Sequence, residues 1–216
     1  MIPSKRTFFV ACLALAAGLC HPPAIAGVYE DLRWAVEDDN TGDIARLLAR
    51  GADPNTPDEQ GNTLLITAAR NRNAALVDLL IGAGAKLNLR NRFGETAIML
   101  AAYKGYGDIV EKLYVKGAEI NHEGWNPLLY AASGGHAKII ELLLEGGVPV
   151  DSTSGNGTTA LMMAARENNA DAVRILLKNG ADSSIRNDWG KTALDMASAR
   201  DYREIVELLQ ANGEKK

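Results

Sequence analysis

Cysteine is nearly absent from this chain. The 216 residues contain two, Cys12 and Cys20, and both fall within the first twenty positions. Everything downstream therefore has no disulfide, no zinc-binding cysteine cluster and no cysteine nucleophile. Histidine is almost as sparse: three occur, and only His122 and His136 follow residue 26. No G-x-S-x-G, G-x-x-x-x-G-K or H-E-x-x-H is present, which leaves nucleophile-elbow hydrolysis, phosphate cradling and zinc peptidase chemistry without their residues. A metal centre needs three or four converging ligands, and the adjacent His122 and Glu123 do not supply them. Basic runs are missing too, with 23 Lys and Arg against 27 Asp and Glu. That balance disfavours nucleic acid and anionic membrane surfaces as partners.

One apolar run does occur, and it is short. Lys5 and Arg6 precede an uncharged stretch from Phe8 to Leu19, 12 residues, against the roughly 20 that span a bilayer. Ala24-Ile-Ala26 follows with Gly27 after it, the small-residue pattern of a cleavage site. Residues 1–26 read as a cleaved secretory signal peptide. Cys20 raises a lipoprotein alternative, but Leu19 stands where that processing requires a small residue. Removing the leader takes away two of the 23 basic residues and no acid, leaving 21 against 27, a net −6. An exported chain without cysteine fits a bacterial periplasm.

After the leader, periodicity dominates. The segments "QGNTLLITAA", "FGETAIMLAA", "GWNPLLYAA", "GNGTTALMMAA" and "WGKTALDMAS" place Thr63, Thr96, Asn126, Thr159 and Thr192 at separations of 33, 30, 33 and 33. Gly84, Gly117, Gly147, Gly180 and Gly213 each follow their marker by 21 residues, and Gly51 adds a degenerate first unit. Thr or Asn suits the start of a helix, where its oxygen accepts an unpaired N–H. Paired small residues follow and allow close helix approach. A second helix with an apolar stripe comes next, as in "LVDLL", "IVEKL" and "IIELL". Glycine then suits the left-handed helix end, and the Asn/Asp/Gly-rich remainder suits a reversing hairpin.

This pattern resembles the ankyrin repeat, whose unit is 33 residues with a T-P-L-H-x-A motif. The resemblance implies an all-α solenoid of six helix-turn-helix units with hairpin fingers: approximately 28–57, 58–90, 91–122, 123–153, 154–186 and 187–216, within a domain over 27–216. The motif's histidine is missing from every copy, so apolar packing must replace its hydrogen bond. Both ends look capped by polar substitution. Ile66, Met99, Leu129 and Met162 give way to Asp195; Ile81, Tyr114, Leu144 and Leu177 give way to Gln210; and Asp43 stands where later units carry Leu76, Ile109, Ile139, Ala172 and Ile205. Trp34 aligns with Thr67, Leu100, Tyr130, Met163 and Met196 and is expected in the core. His136 opens a second helix and reads as structural.

The resemblance also implies a non-catalytic protein-binding role, with partners docking on finger tips and first-helix ends. Positions there that vary between copies are Glu59, Gln60, Asn62 and Arg70; Arg92, Phe93, Glu95 and Tyr103; His122, Glu123, Trp125 and Ser133; Asn156, Thr158 and Arg166; and Asp188, Trp189, Lys191 and Arg200. The candidate contacts are Arg70, Arg92, Phe93, Glu95, Tyr103, Trp125, Arg166, Trp189 and Lys191, because aromatic and Arg side chains dominate hot spots. The expected partner is another exported protein, held by a monomer that inhibits, neutralises or scaffolds it without a cofactor. The three residues missing from the fourth unit must come from its finger, between Gly117 and Asn126, leaving a notch beside Trp125. The alternative is an enzyme or a small-ligand or metal receptor using His122, Glu123 and Trp125.

Overall fold

A computed structural model of the protein describes residues 31–32, 34–35 and 40–213; the expected leader lies outside them. Among the described residues there are eleven helices, no strand, and one isolated bridge between Thr153 and Thr159. None of these helices is long and apolar enough to cross a membrane. The helices alternate as inner and outer members of successive units. Inner helices span Leu64–Arg70, Ala97–Lys104, Pro127–Gly134, Ala160–Arg166 and Ala193–Ser198. Outer helices span Thr41–Ala49, Ala74–Gly82, Gly107–Val115, Ala137–Glu145, Ala170–Lys178 and Arg203–Gly213.

Every inner helix opens on the residue that the sequence marks. The hydroxyls of Thr63, Thr96, Thr159 and Thr192 accept the N–H groups of Ile66, Met99, Met162 and Asp195. Each such cap stabilises its helix by about 1 kcal/mol. Asn126 does more than a threonine could. Its Oδ1 accepts from both Leu128 and Leu129, while its Nδ2 donates to Ser152 Oγ at 3.0 Å. Pro127 sits at the first helical position, where no N–H is needed.

One continuous core runs between the layers. The paired small residues Ala68-Ala69, Ala101-Ala102, Ala131-Ala132 and Ala164-Ala165 are all buried, so inner helices of neighbouring units lie close. Ile66, Met99, Leu129 and Met162 occupy the place of the missing histidine and are almost completely enclosed. Outer helices contribute stripes such as Ile109-Val110-Leu113 and Ile139-Ile140-Leu143, also buried.

The ends follow expectation with two exceptions. Asp195 is exposed and bonds back to Thr192 in a capping box, Gln210 is exposed, and Asp43 stays half-exposed and pairs with Arg46. Trp34, expected in the core, is instead 64% exposed: the described part of the first unit offers it no neighbouring inner helix to lie against. Gly51, Gly84, Gly117, Gly147 and Gly180 all take positive φ after their outer helices, as the spacing predicts. Gly213 does not; it lies within the last outer helix and is the last described residue.

Polar clips order the loops. Asn55 Oδ1 accepts the Lys86 N–H at 2.7 Å, Asn88 Oδ1 accepts that of Glu119 at 2.9 Å, and Asp151 Oδ1 accepts that of Asp182 at 2.9 Å. Residue 149, which stands where Lys86, Glu119 and Asp182 stand in their units, is proline and has no N–H. Among the described residues no such clip joins the fourth and fifth fingers. On the helix side the units stay joined, because Asn169 Nδ2 donates to the carbonyls of Ala132 and Ser133, 3.0 Å each.

Candidate functional site: a gap in the finger row

The full-length fingers share one turn. An Asp, Asn or Ser side chain at its first position accepts the N–H groups that follow. Asp58 serves Gln60 and Asn62, Asn91 serves Phe93 and Glu95, Ser154 serves Thr158, and Asn187 serves Trp189 and Lys191. This is the local Asx or ST geometry that such residues favour. Two neighbouring pairs of fingers are then fused through their backbones. Arg92 N–H donates to the Gln60 carbonyl at 3.0 Å, and Asp188 N–H donates to the Asn156 carbonyl at 3.1 Å. A Cβ on Gly61 would stand 3.1 Å from Arg92 N, and one on Gly157 would stand 3.3 Å from Asn187 Cα. Fingers two and three, and fingers five and six, are in contact.

The fourth finger belongs to neither pair. Asn121-His-Glu-Gly-Trp125 keeps the residue types of the turn, including Gly124 at φ +80, but it follows Ala118 three residues too soon, and among the described residues it makes none of the hydrogen bonds that close the other turns. Among the described residues no backbone bond joins it to finger three or finger five. A Cβ on Gly124 would meet nothing within 4 Å, and one on Gly94 would reach only its own finger's Arg90. The shortening expected from the sequence is thus a real interruption on both sides.

At its base three aromatic rings meet. Trp125 lies edge-on to Tyr130 with centroids 5.4 Å apart, and Tyr130 lies edge-on to Tyr103 at 6.3 Å. Such perpendicular pairs are favoured by the ring quadrupole. Tyr130 Oη donates to Glu95 Oε1 at 3.2 Å, and Glu95 Oε2 accepts from Asn91 Nδ2 at 2.8 Å. Burial pushes the Tyr130 hydroxyl above its ordinary value, Glu95 adds to this through its charge and its accepted bond, and Arg90 opposes it. Tyr130 therefore remains a donor and fixes Glu95. Half of Trp125 stays open to solvent, at 41% exposure.

Of the candidate contacts read from the sequence, Glu95 and Tyr103 of unit three come together here with Trp125, and Tyr130, aligned in the sequence with Trp34, Thr67, Leu100, Met163 and Met196, joins them. Its signal is a phenolic ring in a column that is otherwise mostly apolar. Phe93 and Trp189 protrude from their fingers at 74% and 66% exposure, with Arg92 and Lys191 exposed beside them. Arg70 is half-exposed in unit two, and Arg166 is held by Glu167 at 2.8 Å. Asn62 and Thr158, read as variable surface, are buried; Asn62 Oδ1 accepts from Asn91 Nδ2 at 2.9 Å and so belongs to the finger framework.

His122 and His136 have separate surroundings. His122 Nδ1 lies 3.0 Å from the main-chain oxygen of Glu123, not its carboxylate, and its Nε2 is enclosed without a hydrogen-bond partner. Among the described residues no three His, Cys, Asp or Glu side chains converge to hold a metal ion. His136 opens the outer helix of unit four, and its Nε2 lies 2.8 Å from the Tyr103 carbonyl.

Comparison with curated proteins returns no match. The family profile described as ankyrin repeats (3 copies) matches in overlapping windows at 32–123, 65–154, 105–187 and 128–216. These windows cover nearly all the described chain, and proteins built this way generally mediate protein–protein interaction. The chain belongs to the ankyrin repeat family.

Proposed function

We propose that this is a non-catalytic binding protein of the periplasm, delivered by a leader cleaved after Ala26, that inhibits or scaffolds another exported protein through its fingers and inner-helix ends. One observation carries the binding face: the Trp125–Tyr130–Tyr103 cluster, with Trp125 half-exposed over a gap that no neighbouring finger covers. An aromatic ring held rigid on one side and open on the other binds at low entropic cost. The outer helices carry much of the acid, including Glu111 and Glu207, as solvated charge.

Capture of the partner from a periplasmic extract, followed by titration with purified components, tests the face. Trp125→Ala is expected to weaken binding by roughly 2 kcal/mol or more. Arg92→Ala and Trp189→Ala are expected to give smaller losses. A Trp125→Ala protein that binds normally removes the face, and one that unfolds like a core truncation makes the ring structural. Intact-mass measurement of the exported protein tests delivery: a chain beginning at Gly27 is expected, whereas an acylated Cys20 terminus contradicts it.

A further inference from the structure

The two fused finger pairs show how a finger is held by its neighbours. Within each pair, the N–H at the second turn position of one finger meets the carbonyl at the third position of the finger before it. Arg92 meets Gln60 in this way, and Asp188 meets Asn156. The same register identifies what the short finger leaves unused. On one side it is the carbonyl of Phe93, the third turn position of finger three. On the other it is the N–H of Gly155, the second turn position of finger five. Among the described residues neither group has a hydrogen-bond partner, and both residues are exposed. An acceptor and a donor therefore border one gap, in the register that a finger between them would complete.

Gly155 has no side chain, and a Cβ built there would meet nothing within 4 Å, so a visiting backbone can approach it closely. Asn121 is exposed at the same edge. Trp125 lines the floor.

We propose that the gap receives an exposed tight turn of the protein partner, which takes the position of the missing finger tip: its second-position N–H donates to the Phe93 carbonyl, and its third-position carbonyl accepts from the Gly155 N–H. This inference rests on the protein-binding reading above and specifies its mode. Recognition is through main chain, so the partner's turn is selected by conformation, with its side chains set against Trp125 and Phe93.

The test uses a head-to-tail cyclised peptide copying residues 89–96 (Leu-Arg-Asn-Arg-Phe-Gly-Glu-Thr), a turn this fold already accepts beside a finger. Titrated into isotope-labelled protein, it is expected to shift the Gly155 amide resonance and the Trp125 indole resonance together. N-methylation of the peptide residue copying Arg92 removes the donor to Phe93 and is expected to weaken binding about tenfold, the scale of one hydrogen bond. Insertion of Asn-Leu-Arg after Ile120 restores the 33-residue spacing, fills the gap from within, and is expected to abolish both shifts while retaining the circular dichroism of the folded array. Equal binding of the N-methylated peptide overturns the proposal, as does no shift at millimolar peptide. A Gly155 shift that depends on protein concentration without peptide places a second copy of this chain in the gap and also overturns it. If the peptide fails while Trp125→Ala still weakens partner capture, the docking mode falls and the protein-binding reading stands. Capture insensitive to every concave-face substitution removes that reading separately.

Discussion

His136 Nε2 donates to the carbonyl oxygen of Tyr103 at 2.8 Å, so the outer helix of unit four grips the end of the inner helix of unit three. The imidazole is lodged between two glycines: a Cβ on Gly105 would stand 2.5 Å from its Cε1, and one on Gly134 would stand 2.6 Å from its Cδ2. Asn169 performs the same bridging one unit later with its amide. His136→Ala is expected to lower unfolding free energy by about 1–2 kcal/mol, one bond and some packing. His136→Asn is expected to lose less than alanine does. Urea titration distinguishes these, and an asparagine variant no better than alanine contradicts the bridging role.

Stability of the array is expected to depend on where a unit stands. Leu143 is fully enclosed between units, and Leu143→Ala should cost about 2–5 kcal/mol. Leu209 is also buried but lies in the last outer helix, which has a neighbour on one side alone. Leu209→Ala should cost less. Equal losses in urea would contradict a stability summed over neighbouring repeats.

The aspartate that caps the last unit gives the array an acid-sensitive end. Bonds from the Thr192 backbone N–H and hydroxyl hold the Asp195 carboxyl below its ordinary value, with Arg186 and Lys191 contributing by charge. A carboxyl depressed by folding stabilises above its unfolded pKa, about 3.9, and loses that contribution as pH falls through the lower folded value. Asp195→Asn is therefore expected to flatten the decline in melting temperature below about pH 4. An unchanged acid limb would exclude Asp195 from it.

One of the differences between fingers three and six has a measurable result. Asn91 Nδ2 donates to Glu95 and to Asn62, whereas the equivalent Asn187 Nδ2 is enclosed without a partner. Lys191 stands where finger three has Glu95. Lys191→Glu supplies the acceptor and is expected to raise stability by about 1 kcal/mol, the net value of one hydrogen bond. A neutral or lower melting temperature would show that the carboxylate does not reach the amide.

These comparisons show what the sequence could reveal. Thr63 and its equivalents were legible because a cap depends on the next three residues alone, and the buried stripes were legible because they repeat at helical spacing. Trp34 was misplaced because alignment supplies a column but not the neighbour that would bury the ring. Tyr130 was missed for the opposite reason: its column is mostly apolar, yet its hydroxyl finds Glu95 from another unit, a pairing 35 residues apart in sequence. The three-residue shortening was visible as a count. That it separates two fused finger pairs was not, because those bonds depend on how the tips stand relative to each other.

Pro149 gives the molecule a mechanical character that its neighbours do not share. Among the described residues, fingers four and five have neither a loop clip nor a tip bond, while Asn126–Ser152 and Asn169 hold the same units together nearer the helices. Bending at this point separates finger tips without breaking backbone bonds, with the helix layers acting as the pivot. Pro149→Ala returns a main-chain N–H to that loop and should narrow the spread of tip-to-tip distances between spin labels on fingers three and five. The spacing of the finger tips is thus expected to depend on a residue that lies outside the tips themselves.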